Sequence, residues 1–181
     1  MLEIRPAALS EFSLLPELEA EADQAFGELT PPMAYGDFPP PGTAEDYAGA
    51  FHIMVAGRPP VGFVRLEIVD GQAHLEQLAV SPDHAGQGIG RALVAAAKAW
   101  AREAGFAAMT LSTFSKVPFN APFYASCGFV EFPAGMWGPE LAALRRKEAA
   151  LGLDAFGPRI AMRVVLPAGP AVPSERFHTH G

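Results

Sequence analysis

Cysteine is nearly absent: Cys127 is the single one in 181 residues. That excludes an intrachain disulfide and any metal site built from several thiolates. Cys127 has no evident base nearby in the sequence and reads as a small packed residue rather than a nucleophile. Positive charge is also short, with 13 Lys and Arg against 20 Asp and Glu and a formal net charge of -7. Nucleic-acid binders carry a basic face. The one basic cluster here, Arg145-Arg146-Lys147, is flanked by Glu140 and Glu148 and reads as a solvated helix face. No apolar run is long enough to span a bilayer. Met1-Leu2-Glu3-Ile4-Arg5 lacks the basic-then-apolar order of a signal peptide. We therefore expect a cytoplasmic protein with no nucleic-acid or membrane partner. His178 and His180 have no carboxylate or thiol beside them, so no metal site is expected either.

Half of the residues are hydrophobic, enough for one domain with a sizeable core. Glu3–Ala7 reads as a short first strand that ends at Pro6, and Ser10 can cap a helix from about Glu11 to Gly27. Residues 28–43 are rich in proline and glycine yet carry Met33, Tyr35 and Phe38, which suits a pocket wall or lid. Thr43 can cap a short helix over Ala44–Ala50. Phe51–Ala56, Val61–Val69 and Ala73–Val80 read as an antiparallel meander, with Asp70-Gly71 as a hairpin turn. A helix over Gly88–Ala104 and a strand over Phe106–Thr113 complete a βαβ unit, so that strand should run parallel to Ala73–Val80. Asn120 can cap a short helix around Pro122–Cys127. A strand over Phe129–Phe132, a helix over 138–151 and a last strand over Arg159–Leu166 follow. The fold class is mixed α/β: a mostly antiparallel sheet with one parallel pair and flanking helices. Residues 1–166 form the domain and 167–181 a mobile tail.

The alternating strand His74–Val80 runs into Gly86-Gln87-Gly88-Ile89-Gly90-Arg91, which opens directly into an alanine-rich helix. Glycines at alternate positions leave backbone N–H groups uncovered, and with a helix N-terminus they can hold a phosphate. The dinucleotide-binding fingerprint needs its third glycine where Arg91 stands, and a meander is the wrong lead-in for a doubly wound fold.

Leu78-Ala79-Val80-x-Pro82 followed by Gly86-Gln87-Gly88-Ile89-Gly90-Arg91-Ala92-Leu93 resembles the acyl-CoA-binding signature of the GNAT superfamily of N-acetyltransferases. Asn120-Ala121-Pro122-Phe123-Tyr124-Ala125-Ser126-Cys127-Gly128-Phe129 is similar to that family's second signature, with a tyrosine four residues before Gly-Phe. The resemblance implies that acetyl-CoA pyrophosphate rests on the amides of Gly86 to Arg91. It implies that the pantetheine arm follows Leu78-Ala79-Val80 between two splayed central strands, with Asn120 near that arm. The family often carries arginine or glutamine at the position of Ala85, so backbone amides do more of the work here. The resemblance also makes Tyr124 the acid that reprotonates the departing thiolate; a phenol of pKa about 10 can serve a thiol of about 8.5 if placed close by.

An alkyl amine is mostly protonated at neutral pH and must lose a proton before it attacks. His74 and Glu76 lie two apart on their strand, and strict alternation puts them on one face with Leu78 and Val80. Glu76 is the first candidate base and His74 the second. The resulting expectation is an acetyltransferase acting on a primary amine of a small molecule or peptide by direct attack. A non-catalytic acyl-CoA sensor is the alternative. For the acceptor, Asp37, Glu45 and Asp46 are candidate cation partners and Tyr35 and Phe38 candidate walls. The acidic balance favours a cationic acceptor. A homodimer through the last strand or the 138–151 helix is a further expectation.

Overall fold

The computed structural model describes residues 2–168. Most of the expected tail, with His178 and His180, lies outside the described residues. Among the described residues seven strands form one sheet in the order β1-β2-β3-β4-β5-β7-β6. They are β1 (Ile4–Pro6), β2 (His52–Ala56), β3 (Gly62–Val69), β4 (Gln72–Val80), β5 (Ala108–Phe114), β6 (Val130–Glu131) and β7 (Arg159–Val165). All neighbours are antiparallel except β4 and β5.

Helix α1 (Leu15–Ala22) is shorter than the sequence pattern predicts, because 3₁₀ turns over Leu9–Leu14 and Asp23–Glu28 flank it. Pro16, in the first turn of α1, has no N–H to donate backwards, so the α-helical ladder starts there. Ser10 caps nothing. Instead the Glu11 carboxylate accepts from the Ala8 N–H at 2.8 Å and binds Arg5 through both oxygens at 2.7 Å. Thr43 does cap α2 (Ala44–Ala48): its hydroxyl accepts from Asp46 N–H, and the Asp46 carboxylate accepts from Thr43 N–H.

Helix α3 (Ile89–Glu103) buries Ile89, Leu93, Val94, Ala97 and Ala101, a stripe at helical spacing. That stripe covers one sheet face, against Val64, Leu66, Leu75 and Met109. On the other face, Leu15, Leu18 and Tyr47 from α1 and α2 cover Ile53, Val55, Phe63 and Ala79. The Asp70-Gly71 turn has both residues at positive φ, as a two-residue type I′ hairpin requires.

The feature that shapes the molecule is the β4–β5 junction. It has two paired rungs, Ala73↔Met109 and His74↔Thr110. Beyond them β4 continues along β3 while β5 continues along β7 as far as Phe114↔Arg159, so the sheet forks. A β-bulge sits at the fork: Leu75 opposes Leu66 and Gln77 opposes Arg65, leaving Glu76 as the extra residue. The bulge resets the alternation. Leu78 and Val80 pack with Ala73 and Leu75 on the α3 side, whereas Ala79 packs on the α1 side. The shared face expected for His74, Glu76, Leu78 and Val80 is therefore broken by one inserted residue.

Candidate active site

The fork opens a cleft of about 570 Å³. His74 stands at its base, 2% exposed, on the last paired rung. Its Nδ1 is 2.8 Å from Thr110 Oγ1, a hydrogen bond that ties the two strands together where they part. Burial pulls its pKa down to about 4, so the ring is neutral at pH 7. Glu76, thrown outward by the bulge, lines the same cleft. Its Oε2 is 3.7 Å from His74 Nε2, beyond a normal hydrogen bond. The Glu76 side chain is 40% exposed, yet the protein packed around it pushes its carboxyl above the usual carboxylate range; Arg65 opposes this and the acids Glu148 and Glu67 add to it. The same surroundings thus weaken His74 as a base and strengthen Glu76.

From Leu75 onward β4 pairs only with β3, so its edge toward β5 leaves backbone groups open to the cleft along Leu78-Ala79-Val80. The chain then turns through Gly86 (φ +76) and Gly88 (φ +78), backbone conformations that only glycine adopts readily, before α3 begins. A Cβ at either position would meet nothing within 4 Å, so the turn's outer surface is bare backbone. The first turn of α3 holds no acidic side chain, and the earliest α3 amide bonded back to Gly88 O is that of Ala92. The N–H groups of Ile89, Gly90 and Arg91 are left without helical partners. A Cβ on Gly90 would lie 3.7–3.9 Å from Phe123, Val80 and Leu78, on the cleft wall. The Arg91 guanidinium turns away from the loop: it bonds Ser126 Oγ at 2.8 Å and Ser126 O at 3.2 Å.

Across the cleft stands α4 (Ala121–Ser126). Gly128 (φ +96) reverses the chain after it, so that Phe129 N–H bonds Tyr124 O at 3.1 Å and the two rings meet edge to face. Tyr124 is thereby locked, 7% exposed, and lines the cleft. Burial, with Cys127 adding to it, raises its phenol above the ordinary value and keeps the proton on. Asn120 also lines the cleft, but its side chain does not cap α4; its Nδ2 donates to Phe119 O at 3.1 Å.

The remaining walls come from both ends of the chain. Glu19, Asp23 and Phe26 reach in from α1 and the 3₁₀ turn after it, followed by Phe38 and Pro39. Glu148 of helix α5 (Pro139–Ala150) and Arg159 of β7 reach in from the other side, 2.6 Å apart. Glu148 also meets Arg145 and Ser112, so its charge is matched within the protein. Glu19 accepts from the Tyr47 hydroxyl and from Gly42 N–H at 3.2 Å. Burial and the neighbouring Glu19 push Asp23 up to about 6.

Residues 14–129 match the acetyltransferase (GNAT) family. The chain belongs to the GNAT family of acetyltransferases. Solved structures agree on the fold. The ribosomal-protein-S18-alanine N-acetyltransferase of Escherichia coli is 18% identical, with TM-score 0.64 over 95% of this chain and 99% of that one. A GNAT-family acetyltransferase of Staphylococcus aureus Mu50 is 16% identical, with TM-score 0.66 over 92% and 100%. The PaiA N-acetyltransferase of Thermoplasma acidophilum, solved in complex with coenzyme A, is 15% identical, with TM-score 0.65 over 91% and 99%.

In this GNAT chain the cleft brings together His74, Glu76, Leu78, Ala79, Val80, Gly90, Asn120 and Tyr124. Gly86, Gln87, Gly88, Ile89 and Arg91 form the turn and helix start adjoining it. Of the residues singled out for an acceptor, Phe38 lines the cleft. Tyr35 instead packs over Gly27, where a Cβ would meet its ring at 2.7 Å. Asp37 and Glu45 are exposed, and Asp46 is used in capping α2. Leu144 and Leu151 of the expected α5 stripe also line the cleft, and Leu141 alone among those leucines is buried. Sequence reasoning missed Glu19 and Asp23. Their i, i+4 spacing marks them as neighbours on one helix face, but nothing local says that this face borders a cavity.

Proposed function

We propose that this acetyltransferase transfers the acetyl group of acetyl-CoA to a primary amine by direct attack. The observation that carries the reading is the opposition of Glu76 and Tyr124 across one cleft with the bare glycine turn adjoining it. The bound donor would supply an activated thioester carbonyl. Amides of Gly86 to Arg91 would hold its pyrophosphate, since no side chain covers Gly86 or Gly88 and the first amides of α3 have no helical partner. Open backbone N–H groups near Val80 would polarise the carbonyl oxygen.

The amine nitrogen bonds to the carbonyl carbon and the carbon–sulfur bond breaks. An ammonium loses two protons in becoming the amide; one ends on the departing sulfur and one goes to solvent. Glu76 is the base for the first transfer, since burial strengthens it while His74 is held neutral. His74 acts as a positioning residue through Thr110. Tyr124, kept protonated by burial, is the acid for sulfur.

Calorimetry with acetyl-CoA and thiol release across a panel of amines test this together. Binding plus release with at least one amine is expected. Binding with no release for any amine favours a sensor instead, and no binding removes the donor assignment.

A further inference from the structure

One wall of the cleft has a composition that the glycine turn does not dictate. Phe26, Phe38, Phe114 and Phe119 all line it. Phe26 meets the other three rings edge to face, with centroids 5.1 Å apart for Phe26–Phe38, 5.9 Å for Phe26–Phe114 and 4.9 Å for Phe26–Phe119, and Phe38 stacks on Phe114 at 6.2 Å. Phe156 backs Phe38 at 4.8 Å, and Arg159 lies over the Phe114 ring at 4.5 Å, which holds the wall rigid. Pro39 and Pro40 extend the apolar surface. Four carboxylates and two cations also line the cavity, and Glu148 and Arg159 satisfy each other. Among the described lining residues Lys147 is then the cation left for Glu19, Asp23 and Glu76, with Arg65 acting on Glu19 and Glu76 from outside the lining.

We propose that the acceptor is an aralkyl or similarly apolar primary amine without a carboxylate, its carbon body lying on the Phe26–Phe38–Phe114–Phe119 wall and its ammonium drawn in by Asp23 and Glu19. This rests on the acetyl-transfer reading above. A free carboxylate on the acceptor would meet three acids, a repulsion that a partly buried site screens poorly. A polyhydroxylated body would strip water from its hydroxyls against phenyl and proline surface that returns no hydrogen bonds. A phenyl body replaces that loss with ring-to-ring contact, and its ammonium is attracted both by the carboxylates and by ring faces. Asp23 is a specificity-determining residue in this scheme. It draws the cation into the cleft, and Glu76 takes the proton.

The test uses the full chain with 2-phenylethylamine, ethylamine, L-phenylalanine, glucosamine, spermidine and an alanyl peptide. First, binding of 2-phenylethylamine is measured without donor, which probes the wall independently of acetyl-CoA. Then kcat/KM is measured for each amine with acetyl-CoA. Binding of 2-phenylethylamine and a kcat/KM at least tenfold above every other amine are expected. Asp23→Asn should raise its KM about tenfold, with kcat and acetyl-CoA affinity within twofold. Phe38→Leu, which keeps the site apolar, should reduce the preference for 2-phenylethylamine over ethylamine. A comparable or better kcat/KM for any of the other amines overturns the inference, as does no binding of 2-phenylethylamine. Failure of acetyl-CoA to bind, with amine binding intact, overturns the donor reading and with it any role of this wall in acetyl transfer.

Discussion

At the scale of single residues, the cleft assigns opposite protonation states by the same means. Burial disfavours charge, so it keeps a proton on Tyr124, keeps one off His74 and raises the proton affinity of Glu76. Two of the shifts fit a proposed role, a neutral positioning ring for His74 and a strengthened carboxylate base for Glu76; the raised phenol keeps Tyr124 protonated until a thiolate forms but makes it a weaker acid. Tyr124→Phe should lower kcat about a hundredfold, the lower end of what a positioned acid contributes, with acetyl-CoA affinity unchanged in calorimetry. Glu76→Gln should also lower kcat and, unlike Tyr124→Phe, remove the acidic limb of the kcat–pH profile taken at saturating amine, where the KM set by Asp23 no longer shows. That limb lies above the ordinary carboxylate range in the wild type. A limb that survives in Glu76→Gln assigns the base elsewhere. Tyr124 was legible in the sequence through its spacing to Gly128-Phe129. The burial that tunes it was not, because it comes from Phe123 and Phe129 closing around the ring.

At the scale of elements, the hairpin turn that looked purely local also builds the far wall of the site. Asp70 accepts from Glu140 N–H at 2.8 Å and Leu141 N–H at 3.0 Å, capping α5 from another part of the chain. Gly138 makes room, since a Cβ there would come within 2.3 Å of the Asp70 carboxyl carbon. Helix α5 in turn carries Glu148 into the cleft. Asp70→Ala removes a cap worth about 1 kcal/mol and puts alanine at φ +52, which costs roughly another 1 kcal/mol. We expect a loss of about 2 kcal/mol in urea unfolding, with Gly71 still able to turn the hairpin. No change in the urea midpoint would mean that the cap contributes nothing. The strands and helices themselves were legible because their periodicities differ: the α3 stripe repeats at helical spacing and the meander alternates. The first helix was misjudged in length because Pro16 acts on a ladder that periodicity does not see.

At the scale of the whole molecule, stability should depend on pH in two windows. His74 titrates at about 4 in the fold against an ordinary 6.5, so the unfolded chain binds more protons between those values and stability falls as pH drops through them. Glu11, hydrogen-bonded to Arg5, is lowered from 4.5 to about 2; its contribution is present above 4.5 and is lost as pH falls through about 2. Asp23, raised from 3.8 to about 6, acts in the opposite sense over nearly the same upper window. The His74 contribution is therefore read as the difference between wild-type and His74→Gln urea midpoints, which should narrow as pH drops from 7 towards 4. Glu11→Gln should flatten the lower window. Parallel curves for wild type and variants would disprove the assignment. By itself the sequence determined the mixed sheet with its parallel crossover, the glycine turn that opens α3 and the tyrosine of α4, since each depends on neighbours along the chain. Only the tertiary structure decided that the sheet forks after His74↔Thr110, that Glu76 is the inserted bulge residue and that Asp23 meets Phe38 and Phe114 in one cavity. Those facts depend on cross-strand register and on which helix face borders an opening. Both are set by contacts between segments far apart in the chain, which no local pattern encodes.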